Sequence, residues 1–164
     1  MMKTIFNYLV FFTISFLGLI GCGDSNKVHH SSGENLEIWA DTIIYEVLIS
    51  NPDTLNKWET AKLKNVRHRK LVDDLFEMIY TGKKKAYDYY THQALSIDEI
   101  KDLEADDRFS REKVGKLQFT ETWIYNKSIQ KLNKNTHAIL LAYELYDDSD
   151  NLRGYKAAFF VKDF

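Results

Sequence analysis

Cysteine occurs once in these 164 residues, proline once and glycine seven times. One cysteine rules out an intrachain disulfide framework and any cysteine-rich zinc site. So little proline and glycine excludes collagen-like and low-complexity classes. An excess of one charge is missing too. Against 22 Lys and Arg stand 24 Asp and Glu, a net charge of −2, so no basic surplus favours nucleic acid. The chain also lacks HExxH, a Gly-rich phosphate loop, GxSxG and the Rossmann fingerprint. What it has is 45% hydrophobic, 28% charged and 14% aromatic residues. That composition is globular, and the length suits one domain with a single core.

The amino terminus reads MMKTIFNYLVFFTISFLGLIGC. Lys3 precedes an apolar stretch from Ile5 to Ile20, the layout of a secretory signal. The stretch is near the lower length limit for a spanning helix, but its ending decides the reading. Leu19-Ile20-Gly21-Cys22 resembles the bacterial lipobox, and the only cysteine of the chain falls at the acylated position. Residues 1–21 are therefore expected to be a lipoprotein signal peptide, with Cys22 the lipid attachment site. Several acyl chains there would hold the protein at a bilayer far more firmly than one. The thiol would then be a thioether and unavailable for catalysis. Residues 23–35 are small and polar, and 22–37 is expected to form a flexible tether. The thirteen residues 23–35 could reach on the order of 40 Å. His29-His30, lacking other ligands nearby, read as linker rather than a metal site.

From Ile38 to the end no Pro-rich or Gly/Ser-rich break interrupts the chain, so 38–164 reads as a single domain. Trp39, Ile43 and Val47 recur every four residues and predict a helix over 38–50, although Ile43-Ile44-Tyr45 also suits a strand. Pro52 ends that segment. Asp53 can cap a second helix reaching about Lys64. Leu71, Leu75, Met78 and Ile79 predict a helix over 67–81, stopped by Gly82. Ala86 to Tyr90 favours an extended piece. Ser96-Ile97-Asp98-Glu99 is a capping-box signature opening a helix from Ile97 to about Ala105. The pattern then alternates. Leu117, Phe119, Glu121, Trp123 and Tyr125 share one strand face; His137 to Leu145 and Tyr155 to Val161 mark two more strands. Asn133-Lys134-Asn135 and Asp147–Asn151 supply turn chemistry between them. The expected fold class is α+β, with amino-terminal helices packed on an antiparallel carboxy-terminal β-meander.

Convergent chemistry is sparse. His68 sits in a basic run, His92 in a segment too extended to share a face with Asp88, and His137 at a strand start. None has zinc spacing. The acidic turn Asp147–Asp150 fails the calcium-loop pattern, and Asp106-Asp107 reads as loop. Carboxylate pairs of the glycosidase kind are set by three-dimensional spacing. No catalytic residue, cofactor site or metal site is assigned, and the chain reads as a non-enzyme. Two features suit binding: Tyr87, Tyr89 and Tyr90, of which Tyr87 and Tyr89 are expected inward, and the basic residues Lys83–Lys85 beside the run 62–70.

Taken in order, several stretches resemble the gliding-motility protein N family of Bacteroidetes, soluble periplasmic components of the type IX secretion machinery. They are Trp39 to Ser50, Arg69 to Ile100, Glu121 to Lys127, and Asn151 to Val161. Within them, Gly82, Ala86-Tyr87-Asp88, Leu95 to Ile100 and Leu152-Arg153-Gly154 match the family's turn, short extended element, helix start and hairpin. The resemblance implies a non-enzymatic subunit that packs with a lipoprotein or ring subunits around a secretion motor, and it carries over no catalytic residue. The chain departs from the pattern by its own lipobox, and by Ser50-Asn51-Pro52-Asp53 where the family has Arg-Glu-Lys and Tyr-Pro elements. The combined expectation is an interaction subunit bound to the membrane through acylated Cys22, facing the periplasm from the outer membrane, with protein partners and no nucleic acid. The alternative is a lipoprotein binding module for a small ligand or glycan.

Overall fold

The computed structural model of the chain describes residues 35–164. The expected signal peptide, Cys22, His29-His30 and the tether up to residue 34 lie outside the described residues. The chain runs β1 (Leu36–Leu48), α1 (Lys57–Leu63), α2 (His68–Tyr80), β2 (Ala86–Tyr87), α3 (Ile97–Ala105), a single 3₁₀ turn at Arg111–Lys113, β3 (Val114–Asn126), β4 (Lys131–Tyr146) and β5 (Leu152–Lys162). The five strands form one antiparallel sheet in the order β1-β3-β4-β5-β2. Among the described residues, no helix is long and apolar enough to cross a membrane.

This corrects the expected architecture. The fold is mainly an antiparallel sheet carrying three short helices, not an α+β domain of amino-terminal helices on a carboxy-terminal meander. The segment 38–50, expected as a helix, is edge strand β1, with Ile43, Tyr45 and Val47 opposite Glu121, Phe119 and Leu117 of β3. The physical reason is a shared arithmetic. Residues four apart lie on one face of a helix and also on one face of a strand. Tyr45 between Ile43 and Val47, and the β-branched run Thr42-Ile43-Ile44, tip the balance to a strand once β3 is there to pair. The strand begins at Leu36, two residues inside the expected tether.

Local signals elsewhere hold where they close within one turn. Ser96 Oγ accepts from Glu99 N at 3.2 Å while Glu99 Oε2 accepts from Ser96 N at 2.7 Å, so the capping box is complete and α3 spans Ile97–Ala105. Gly82 takes φ +72°, a left-handed conformation open to glycine, just beyond α2. Two expectations shift. Asn56, not Asp53, caps α1, because Asp53 Oδ1 is already accepting from Leu55 N in the turn after Pro52. Asn133 and Asn135 lie inside β4, paired with Ile124 and Thr122, and the hairpin turns earlier with Gln130 at φ +51°. The Asp147 turn is as expected, with Asp147 Oδ1 accepting from Ser149 N and Asn151 N, each at 2.9 Å.

The core lies between α2, α3 and one face of the sheet. Val72, Leu75, Phe76 and Ile79 of α2 and Ile100 of α3 meet Leu117, Leu141, Tyr143, Phe159 and Val161. Phe76 is fully buried, edge-on to Phe159 at 5.1 Å between ring centroids, with the Arg111 guanidinium 4.2 Å from its own ring centroid. Arg111 also pairs with Asp73 at 2.9 Å and Glu104 at 2.6 Å, and Tyr80 donates to Glu104. Burial and then the Glu104 carboxylate push the Tyr80 hydroxyl up to about 12, so it remains a donor there.

Candidate functional site

The helices cover only part of the face they pack on. Toward the β1 edge the same face continues as a shelf made by Trp39 and Tyr45 of β1 and Trp123 and Tyr125 of β3, none of which belongs to the core or packs against it. Trp39 is the extra residue of a bulge between the pairs Ile38–Ile124 and Ala40–Trp123. A bulge re-aims a side chain, and here the Trp39 ring is laid on Tyr125, 4.2 Å between centroids. Tyr45 stacks on Phe119 at 5.5 Å and meets Trp123 edge-on at 6.5 Å. Trp39 remains 56% exposed.

Beneath these rings lies a carboxylate. Glu121, 4% exposed, accepts from Tyr45 Oη and Trp123 Nε1 at its Oε2 and from Thr136 Oγ1 at its Oε1, each at 3.0 Å. Burial alone would raise the Glu121 carboxyl. The three donors and nearby Lys134 outweigh it and hold the group below its usual 4.5. Burial, then Glu121, in turn raises the Tyr45 hydroxyl. Lys134 sits over the rings, 4.4 Å from Trp123 and 5.4 Å from Tyr45. Both carboxylate oxygens are occupied by side-chain donors, so Glu121 fixes ring orientation rather than presenting a base. The shelf thus offers flat aromatic area, pre-set by buried hydrogen bonds, with a cation on top.

Beside the shelf, a groove of about 580 Å³ opens between α2 and the sheet. Leu71, Leu75 and Met78 line its helical side and Leu117, Phe119 and Ile139 its floor, with Arg67, Lys70 and Asp74 among the remaining lining residues. No Tyr or Trp lines it.

Of the residues singled out by sequence, Arg67 and Lys70 of the basic run line the groove, and the histidines and tyrosines lie elsewhere. His68 Nε2 is 2.6 Å from the Val114 carbonyl, a link between α2 and β3. His92 packs on Phe160, and His137 shares a 2.8 Å hydrogen bond with Thr122. Tyr87 is half-buried on Phe160, but Tyr89 is 42% exposed rather than inward. The strand ends at Tyr87, and Asp88 Oδ1 turns the chain by accepting from Tyr90 N and Thr91 N. In the basic run, Lys62, Arg69 and Lys70 pair with Glu59, Asp73 and Asp74. Among the described residues, no group of three or more His, Cys, Asp or Glu stands together to hold a metal ion. The shelf itself was not singled out by the sequence, although its signal was present: a glutamate in the middle of the apolar face Leu117, Phe119, Glu121, Trp123, Tyr125. Comparison with protein-family models, curated proteins and solved structures gave no match.

Proposed function

We propose that the chain is a lipid-anchored interaction subunit, tied through Cys22 to the periplasmic side of the outer membrane and docking a partner protein on its aromatic shelf. One observation carries this reading. Trp39 is held in a fixed stack on Tyr125 yet stays 56% exposed, while the core is complete without it. Ordered aromatics kept outside a core are the kind of residue that anchors protein interfaces. The shelf's hydrogen-bonded frame lowers the ordering cost of docking, because rings already fixed lose little freedom. A glycan module would be better served by Tyr or Trp lining a concavity, whereas the groove has neither and the aromatics lie on open sheet. Non-catalytic action and a place in a secretion or gliding assembly rest on the family resemblance and on the absence of known catalytic motifs in the sequence.

Site-specific photo-crosslinking in native membranes tests the reading. A benzophenone side chain at Trp39 should yield a discrete protein adduct, and one at Ile44, which lies at the neighbouring pleat opposite Thr120, should not. Equal adducts from both positions, or none from either with secretion intact in a deletion strain, would count against it.

A further inference from the structure

The groove beside α2 has a chemistry that the shelf does not share. Along its helical wall Arg67, Lys70, Leu71, Asp74, Leu75 and Met78 follow one stripe, about 16 Å from end to end at the helical rise. Its volume of about 580 Å³ falls within the range of sites that enclose small molecules, roughly 300–1,000 Å³. Apart from Asn65 and its charged residues the lining is apolar, mostly aliphatic with the one aromatic Phe119 and the adaptable Met78. Such a cleft fits a flexible hydrocarbon chain better than a rigid polar ring.

Its charges select the head of that chain. Lys70 Nζ holds both oxygens of Asp74, at 2.8 and 2.7 Å, so these two lining residues cancel each other. Arg67, at the end where α2 begins, makes no ion pair among the described residues, while its neighbours Arg69 and Lys70 both do. The groove therefore carries one uncompensated positive charge at one end of an apolar trough. A guanidinium is planar and presents two parallel donors, the geometry that matches a carboxylate.

We propose that this groove binds a single long-chain carboxylate, the hydrocarbon lying along Leu71, Leu75 and Met78 and the carboxylate paired to Arg67. The inference is independent of the partner-docking role, since none of the four shelf residues lines the groove and only Phe119, on which Tyr45 stacks, adjoins both.

The test titrates carboxyl-¹³C laurate, below its micellar concentration, into the purified full chain held in an amphipathic polymer. The expected result is one saturable site per chain with a bound carboxylate signal distinct from the free one. Arg67→Glu should weaken laurate by about tenfold or more, the factor that corresponds to losing one charge-assisted pair. Met78→Arg should obstruct the trough and weaken it to a similar degree, with circular dichroism unchanged. Dodecyltrimethylammonium, the same chain length with the opposite charge, should not compete. No saturable site, equal affinity in the parent chain and Arg67→Glu, or equal competition by the cationic amphiphile would each overturn the proposal.

Discussion

Trp39 and Tyr125 stack across the seam between β1 and β3, ring centroids 4.2 Å apart and planes 19° from parallel. The contact exists because β1 carries one residue too many at this point, so Trp39 has no backbone partner and swings over its neighbour's ring. Next to it, Lys127 pairs with Glu37 at 2.8 Å and closes the end of the seam.

That stack separates two effects of one substitution. Trp39→Ala should lower the unfolding free energy by only about 0.5–1.5 kcal/mol, the worth of an aromatic pair at a half-open site. Partner affinity should fall by about 2 kcal/mol or more if Trp39 anchors the interface. Urea unfolding and quantitative co-purification, run on the same variant, measure the two. A stability loss as large as the binding loss would make Trp39 a folding residue instead.

Glu121 makes the shelf sensitive to acid. Its folded-state pKa is held below the usual 4.5, so the carboxylate's contribution is fully present above that value and is lost as pH falls through the lower, folded one. Glu121→Gln keeps the shape, removes the charge and should cost about 1–3 kcal/mol at pH 7. The difference between parent and variant should shrink steadily below about pH 4.5, because the parent then loses the same charge. Unfolding midpoints at pH 7, 5 and 3 test this, and a gap that stays constant across the series would show that the charge is not what stabilises the shelf.

Gly115 is needed for close approach rather than for an unusual backbone angle. A Cβ added there would lie 2.5 Å from Glu144 Oε1 and 2.9 Å from Tyr155 Cε1. Glu144 is 6% exposed and cannot swing away freely, since its Oε2 accepts from Tyr146 Oη at 2.5 Å. Gly115→Ala should therefore destabilise by about 1–3 kcal/mol. In a Glu144→Ala background the same change should cost less, and a double-mutant cycle reads the difference. Additive costs would place the strain on Tyr155 alone.

Legibility in the sequence follows the span of the interaction. The capping box of α3 is written in residues three apart, and both its hydrogen bonds form as that spacing dictates. The α2 stripe and the stop at Gly82 are equally local. The first segment is the opposite case. Its four-residue repeat fits either element, and the tie is broken by Phe119, which faces Tyr45 from 74 positions away. Asn133-Lys134-Asn135 fails in the same way, because turn-forming side chains tolerate a strand when a partner such as Trp123 pairs with Lys134.

The amino-acid order alone determined the short-range features: where α2 and α3 start and stop, and the alternating face from Leu117 to Tyr125 of β3, whereas bulges in β4 and β5 shift the faces expected for those strands. It determined these because each depends on contacts within a turn or on a residue type standing at one place. Which half of an apolar sheet face becomes core and which half becomes shelf was decided only in three dimensions. Leu117 and Trp123 stand on the same face of the same strand, yet one is 1% exposed beneath the helices and the other lies out on the shelf. Alternation says that both point the same way; where α2 lands, fixed by Phe76 against Phe159, says which of them is covered.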